Sequence, residues 1–204
     1  MRKYILFILL IYSCSVNAQP GKDSLLIKNG SELVEEMSLM WNYDQAIREY
    51  TQYQTFNKHI TDSIELLDIE KQKQLVDSLR LSKANTDKVW NIYITPADNL
   101  HTKRMIEIIK TYGFPSAKRI RELTNLKLDF QPYILLMHSP SNYWEDLKLL
   151  VELERKEGNI NKCEYGYLLW HLNGRKDMKY FLENGYVLEE QPDGKKKMTA
   201  KNCE

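Results

Sequence analysis

The chain has 204 residues, of which 43% are hydrophobic and 11% aromatic, with 29 basic and 28 acidic side chains. This composition excludes a disordered or collagen-like chain, because the apolar residues suffice for a core and there are only 8 glycines and 6 prolines. The near-neutral charge excludes a strongly basic protein that binds nucleic acid by neutralising phosphates.

The N-terminus has the three-part design of a secretory signal. Arg2 and Lys3 precede the apolar run 4–12, and Val16 and Ala18 place small residues at the cleavage positions. The run is too short to span a bilayer permanently, and no later segment is long enough to do so. The pattern predicts an exported protein, periplasmic or extracellular, with residues 1–18 removed.

Cysteine usage leaves two questions open. Ser13-Cys14 loosely resembles a lipidation site, although the bulky Tyr12 favours simple cleavage. Cleavage leaves Cys163 and Cys203, which either form one disulfide that ties the tail to the body, as exported proteins permit, or stay as two thiols.

Helical periodicity dominates the rest of the chain and predicts seven helices. The first helix starts at an N-cap Ser31, and its apolar face includes Met37, Met40 and Trp41. The predicted helices cover residues 31–56, 61–84, 98–112, 116–123, 129–138, 142–158 and 161–172.

Local signals mark the helix ends. Asp98 and Asn142 are predicted N-caps, and Asn161 with Glu164 resembles a capping box. Gly113 supplies a left-handed stop.

The segments outside these helices carry other signals. Residues 89–94 are β-prone but short, and turn residues at 192–194 predict a small C-terminal hairpin. The fold class is therefore an all-α bundle with short connections and a small irregular or hairpin tail. We divide it into an N-terminal helical arm (19–85), a compact body (86–185) and the tail (186–204).

The common catalytic and metal motifs are missing from the sequence. It has no glycine-rich phosphate loop, no paired-cysteine zinc pattern and no nucleophile elbow. The four histidines are far apart in the chain, so we expect no metal site and no cofactor.

Polar residues on apolar helix faces are the strongest functional signal. Asp44 shares the face of Met37 and Met40 and lies four residues before Arg48, in reach of an ion pair. His101 lies on the apolar face of its helix near Asp98, and His138 ends the most hydrophobic run. Burying such groups is costly unless they pair or line a wet cleft, so we expect Asp44, Arg48, Asp98, His101 and His138 to converge.

The order of these motifs resembles the uncharacterised, often exported DUF6624-type family of bacteria. The resemblance is carried by Asp44-Gln45-x-x-Arg48, Asp98-x-x-His101, the turn 112–115 and Leu135-Leu136-Met137-His138. It implies a shared polar site that includes Gln45. Met137 and the residues after Leu168 depart from the family pattern, which implies a divergent or inactive member.

Three functions compete. The leading hypothesis is a non-enzymatic module that binds a small molecule or an envelope protein through the five converging residues. The alternative is a degenerate hydrolase with His138 as general base and a carboxylate partner. The third is a structural or immunity-type partner protein with an exposed apolar patch.

Overall fold

The computed structural model describes residues 18–54, 57–192 and 194–204. Residues 1–17, on which the predicted signal and the alternative at Cys14 depend, lie outside the described residues. Among the described residues, no helix is both long and apolar enough to cross a bilayer.

Helices build the body and a two-stranded antiparallel sheet ends it, which confirms the predicted fold class. Tyr186 pairs with Ala200 and Glu190 pairs with Lys196 at the two ends of the sheet. The elements are α1 (Ala18–Gln52), α2 (Lys58–Glu65), α3 (Ile69–Leu79), α4 (Lys83–Val89), a π-helical turn (Trp90–Ile94), α5 (Thr95–Tyr112), α6 (Ala117–Thr124), α7 (Tyr133–Leu136), a 3₁₀ turn (Ser141–Tyr143), α8 (Trp144–Lys156), α9 (Lys162–Leu172), α10 (Lys179–Leu182), β1 (Tyr186–Glu190) and β2 (Lys196–Ala200).

Helix α1 begins well before Ser31, so the predicted start was wrong. Gly30 lies inside the helix, and a Cβ added there would be 2.7 Å from Cγ2 of Thr124 on α6. The glycine therefore allows α1 and α6 to pack closely, and it does not end the helix. The predicted apolar face is confirmed, because Met37 and Met40 are buried.

The predicted helix over residues 61–84 is in fact interrupted twice. The side chain of Asp68 accepts a hydrogen bond from the Lys71 backbone N–H and starts α3. Ser82 does the same for Asn85 and starts α4. These short polar side chains accept hydrogen bonds from backbone N–H groups that lack a partner at a helix N-terminus. A new helix can therefore begin within a sequence whose apolar periodicity continues.

The β-prone segment 89–94 is helical, which corrects the prediction. Trp90–Ile94 form a π-helical turn that joins α4 to α5 without a break. Because α5 begins at Thr95, Asp98 lies within its first turn and is not its N-cap. Helix α8 likewise starts at Trp144 after the 3₁₀ turn, so Asn142 is not its N-cap.

Other local predictions are confirmed. Asn161 and Glu164 form a reciprocal capping box at the start of α9. Gly113, with φ of +74°, ends α5.

One core dominates the molecule. Leu26, Leu33, Met37 and Met40 bring α1 into contact with buried residues of α5 to α9. A separate small cluster of Tyr53, Ile64 and Val76 holds α2 and α3 against the end of α1. Helix α1 thus belongs to the main core. The predicted boundary near residue 85, between the N-terminal arm and the body, stays a prediction.

Candidate functional site

Five of the six predicted site residues meet between α1, α5 and the segment after α7, and Gln45 joins the others through Asp44. Asp44 and Arg48 are on α1, Asp98 is on α5, and His138 follows α7. Asp44 Oδ1 lies 2.9 Å from Arg48 Nε and 3.1 Å from His138 Nδ1. Arg48 Nη2 donates to Asp98. We call Asp44, Arg48, Asp98 and His138 the charged cluster.

Asp44 is the centre of the charged cluster and is only 2% exposed. Gln45 Nε2 donates to Asp44 Oδ2 at 2.9 Å, so the carboxylate has three side-chain donors together with Arg48 and His138. Burial raises the pKa of Asp44, but His138 and Arg48 outweigh burial and hold this pKa below its usual range. Asp44 is therefore ionised near neutral pH.

Asp98 has the opposite balance. Burial raises the pKa of Asp98 to about 6, against the opposing effects of Arg48 and His138 and with the added repulsion of Asp44. The guanidinium of Arg48 serves two carboxylates at once and also lies 5.6 Å from the ring centre of Trp90.

Asp98 is expected to give the unfolding free energy a distinct pH dependence. An unfolded aspartate titrates at about 3.9, so the folded state binds this proton more tightly. The contribution of Asp98 to stability is therefore complete below about pH 4 and is lost as the pH rises through about 6.

Urea unfolding of the wild type and of Asp98→Asn at closely spaced pH values measures this effect. The stability of the wild type relative to the variant should fall from about pH 4 to about pH 6 and then level off. A relative stability that rises over this interval would mean that the ion pair with Arg48 outweighs burial.

His138 is oriented by Asp44. Because the carboxylate of Asp44 is ionised, Nδ1 of His138 carries the hydrogen that it donates to Asp44. Nε2 is the ring nitrogen that does not contact Asp44, and the side chain is 24% exposed. An imidazole held in this tautomer has the geometry of a general base.

Three members of the charged cluster also carry donor atoms suited to a metal ion. One such atom from each of Asp44, Asp98 and His138 lies within 4.8 Å of the others. Arg48, however, donates to both carboxylates and already supplies positive charge there. A metal ion would have to displace Arg48, and the expectation of no metal and no cofactor stays a prediction.

His101 does not join the charged cluster by a hydrogen bond and lies instead on a neighbouring surface. Its ring is edge-on to Tyr43, with ring centres 6.1 Å apart. It lines a groove of about 610 Å³ between α1 and the continuous helix formed by the π-helical turn and α5. The exposed walls of this apolar groove include Leu39, Tyr43, Ile92, Tyr93 and Leu100.

The π-helical turn shapes the apolar groove. Ile92 and Tyr93 lie within it and remain exposed, while Ile94 is buried. Helical turns of this kind occur often at functional sites, because the extra residue changes the direction of the side chains. Sequence reasoning missed the groove because it treated residues 89–94 as a β-prone segment.

The sequence analysis also missed a buried polar group formed by Ser139, His171 and Arg175. Ser139 Oγ lies 3.2 Å from His171 Nε2, and Arg175 Nε donates to His171 Nδ1 at 3.0 Å. Arg175 therefore makes Nδ1 an acceptor, so Nε2 carries the hydrogen that it donates to Ser139. Burial, together with Arg175, lowers the pKa of His171 to about 4.

This Ser139–His171 pair has the wrong tautomer for activating the serine, since His171 Nε2 is already protonated. Arg175 also donates to the Met137 carbonyl at 2.7 Å, and Trp144 Nε1 donates to the Ser139 carbonyl at 2.9 Å. These bonds hold residues 137–139 in place, and His138 of the charged cluster lies within that segment.

Cys163 and Cys203 form a disulfide, with their Cα atoms 4.8 Å apart. The bond joins α9 to the segment after β2, and the Lys162 backbone N–H donates to the Cys203 carbonyl at 2.8 Å. The C-terminal hairpin is thus anchored to the body.

Comparison of the chain with protein-family models, curated proteins and solved structures gives no match. The geometry of the charged cluster and of the apolar groove is therefore the basis on which we infer a function.

Proposed function

We propose that this protein is an exported helical binding module that takes an apolar ligand in the apolar groove. The observation that carries the proposal is the groove itself, where apolar side chains of α1 and α5 remain exposed beside one another. Its volume of about 610 Å³ lies within the range of about 300–1,000 Å³ that is typical of small-molecule sites. The charged cluster then serves to hold the two helices at a fixed separation.

The binding of Nile red, a neutral dye that fluoresces in apolar sites, tests this proposal. Leu39 is 70% exposed and contributes to a wall, so Leu39→Asp places a charge beside the dye with little effect on the core. We expect the affinity for Nile red to fall about tenfold, because a charge next to an apolar ligand loses hydration.

Leu149→Asp is the matched control, since Leu149 is also 70% exposed but lies on α8 away from the apolar groove. It should leave the affinity for the dye unchanged. Equal affinities of Leu39→Asp and the wild type, or an equal loss in both variants, would contradict binding in the groove.

Export is the second part of the proposal. The charged, apolar and small-residue pattern of residues 1–18 supports it, and so does the disulfide between Cys163 and Cys203, since such bonds persist in oxidising compartments. N-terminal sequencing of the protein isolated from its native compartment should find Gln19 first. Protein found in the cytoplasm with residues 1–18 still attached would contradict export.

The contact between His138 and Asp44 favours a second candidate function, a hydrolase with His138 as general base. The observation is the 3.1 Å separation of His138 Nδ1 and Asp44 Oδ1, which orients the ring and leaves Nε2 without a contact to Asp44. Hydrolysis of p-nitrophenyl acetate and bis(p-nitrophenyl) phosphate should then be lost in His138→Asn. Equal rates for the variant and the wild type would argue against this candidate.

We also propose divergent membership of the DUF6624-type family. The support is that Asp44, Gln45, Arg48, Asp98 and His138, which carry much of the resemblance, contact one another around Asp44 and Arg48.

A further inference from the structure

We infer that the apolar groove selects a ligand with an apolar body and one uncharged hydrogen-bonding group, such as a phenol or an alcohol, which His101 binds. This inference rests on the proposed function and adds the chemical class of the ligand to it.

The floor of the groove supplies the first argument. Met40, Ala97 and His101 lie there and are buried, with His101 only 8% exposed. His101 makes no hydrogen bond to another described residue, in contrast to the buried Asp44 and His171. Its ring nitrogens are not fully buried and remain accessible to solvent. A neutral imidazole therefore offers one donor and one acceptor to a molecule in the groove. A ligand in the groove can supply the missing partner.

The charges around His101 supply the second argument. Burial lowers the pKa of His101, and Arg48 and His138 add to this effect while Asp44 opposes it, so the imidazole is neutral near pH 7. In the adjacent charged cluster, the guanidinium of Arg48 is already paired with Asp44 and Asp98. Arg104, at one end of the groove, pairs with Glu36 and Glu107 at 2.5 and 2.8 Å. A ligand carboxylate would therefore find no free cation there among the described residues.

Calorimetric titration at pH 7.5 with three ligands of similar size tests the inference. They are 4-propylphenol, propylbenzene and 4-propylbenzoate, which differ only in the polar group. The wild type should bind the phenol about tenfold more tightly than the hydrocarbon, as one hydrogen bond to a buried partner allows. It should also bind the phenol more tightly than the benzoate.

Two variants assign the selectivity to His101. His101→Phe keeps an aromatic ring but should bind the phenol and the hydrocarbon equally, whereas His101→Gln keeps a donor and an acceptor and should retain part of the preference. Thermal unfolding shows whether each variant is folded. If a variant does not fold, the affinities of the wild type for the three ligands still test the inference.

Equal affinities of the wild type for the phenol and the hydrocarbon, or tighter binding of the benzoate, would overturn the inference and leave the groove as a binding site. If neither these ligands nor Nile red binds, the proposed function itself fails.

Discussion

Asp44→Ala is expected to lower the free energy of unfolding by about 3–5 kcal/mol, the usual cost of removing one partner from a buried ion pair. The carboxylate is 2% exposed and accepts from Gln45, Arg48 and His138. Its removal would leave the guanidinium of Arg48 with Asp98 alone and would take away the acceptor for His138 Nδ1. Urea unfolding at pH 7.5 measures the loss.

Two further variants separate charge from volume. Asp44→Asn preserves the size of the side chain and one acceptor oxygen, so its loss of stability should be smaller than that of Asp44→Ala. Asp87→Asn removes an i, i+4 pair with Lys83 at 2.7 Å in which both side chains are well exposed, and should change little. Similar losses for Asp44→Ala and Asp87→Asn would show that the charged cluster is not an important stabilising contact.

The charged cluster could be anticipated because burial of a lone ionisable group is unfavourable. Asp44 shares a helical face with Met37 and Met40, and that face had to be buried to form a core. The rule predicts that Asp44 finds partners, and Arg48 one turn away supplies one of them. It does not say which distant residue completes the set, since the contact of His138 with Asp44 depends on how α7 packs.

His101 shows where that reasoning ends. Residues three apart on a helix are about 60° apart around its axis, because each residue turns about 100°. Asp98 and His101 both pack towards α1, but the first contacts Arg48 and the second contacts Tyr43. The sequence pattern placed them on one face, and only the position of α1 separates the charged cluster from the apolar groove.

The π-helical turn was beyond prediction for another reason. Apart from Asn91, residues 89–94 are β-branched or aromatic, which favours strands by local preference. The capping box at α9, by contrast, is completed within four residues and could be read directly. The capping box was predictable because both of its partners are local, whereas the conformation of residues 89–94 depends on the packing of α4 and α5 against α1.

Glu154 is a buried acidic residue outside the charged cluster and the apolar groove. Its place on an apolar helix face would have predicted a buried carboxylate with partners, as it did for Asp44. It follows Leu147 and Val151 at spacings of seven and three, on the buried face of α8, and is 0% exposed. Its carboxylate accepts from the Phe114 backbone N–H at 2.6 Å, from Asn159 Nδ2 at 2.7 Å and from Lys22 Nζ at 2.8 Å. One side chain thus fixes the turn after α5 and joins α1 to α8.

Glu154→Ala should therefore lower the free energy of unfolding by about 3–5 kcal/mol, because the Lys22 ammonium would lose one of its two carboxylate partners and the buried Phe114 N–H its acceptor. Glu152→Ala is the matched control on the same helix, since Glu152 is half-exposed and pairs with the exposed Lys156 at 2.7 Å. Chemical denaturation compares the two, and amide exchange at Phe114 should accelerate only in Glu154→Ala. Equal unfolding free energies of the two variants and equal exchange rates at Phe114 would contradict this role of Glu154. Hydrophobic packing alone would then hold the turn at residues 112–115.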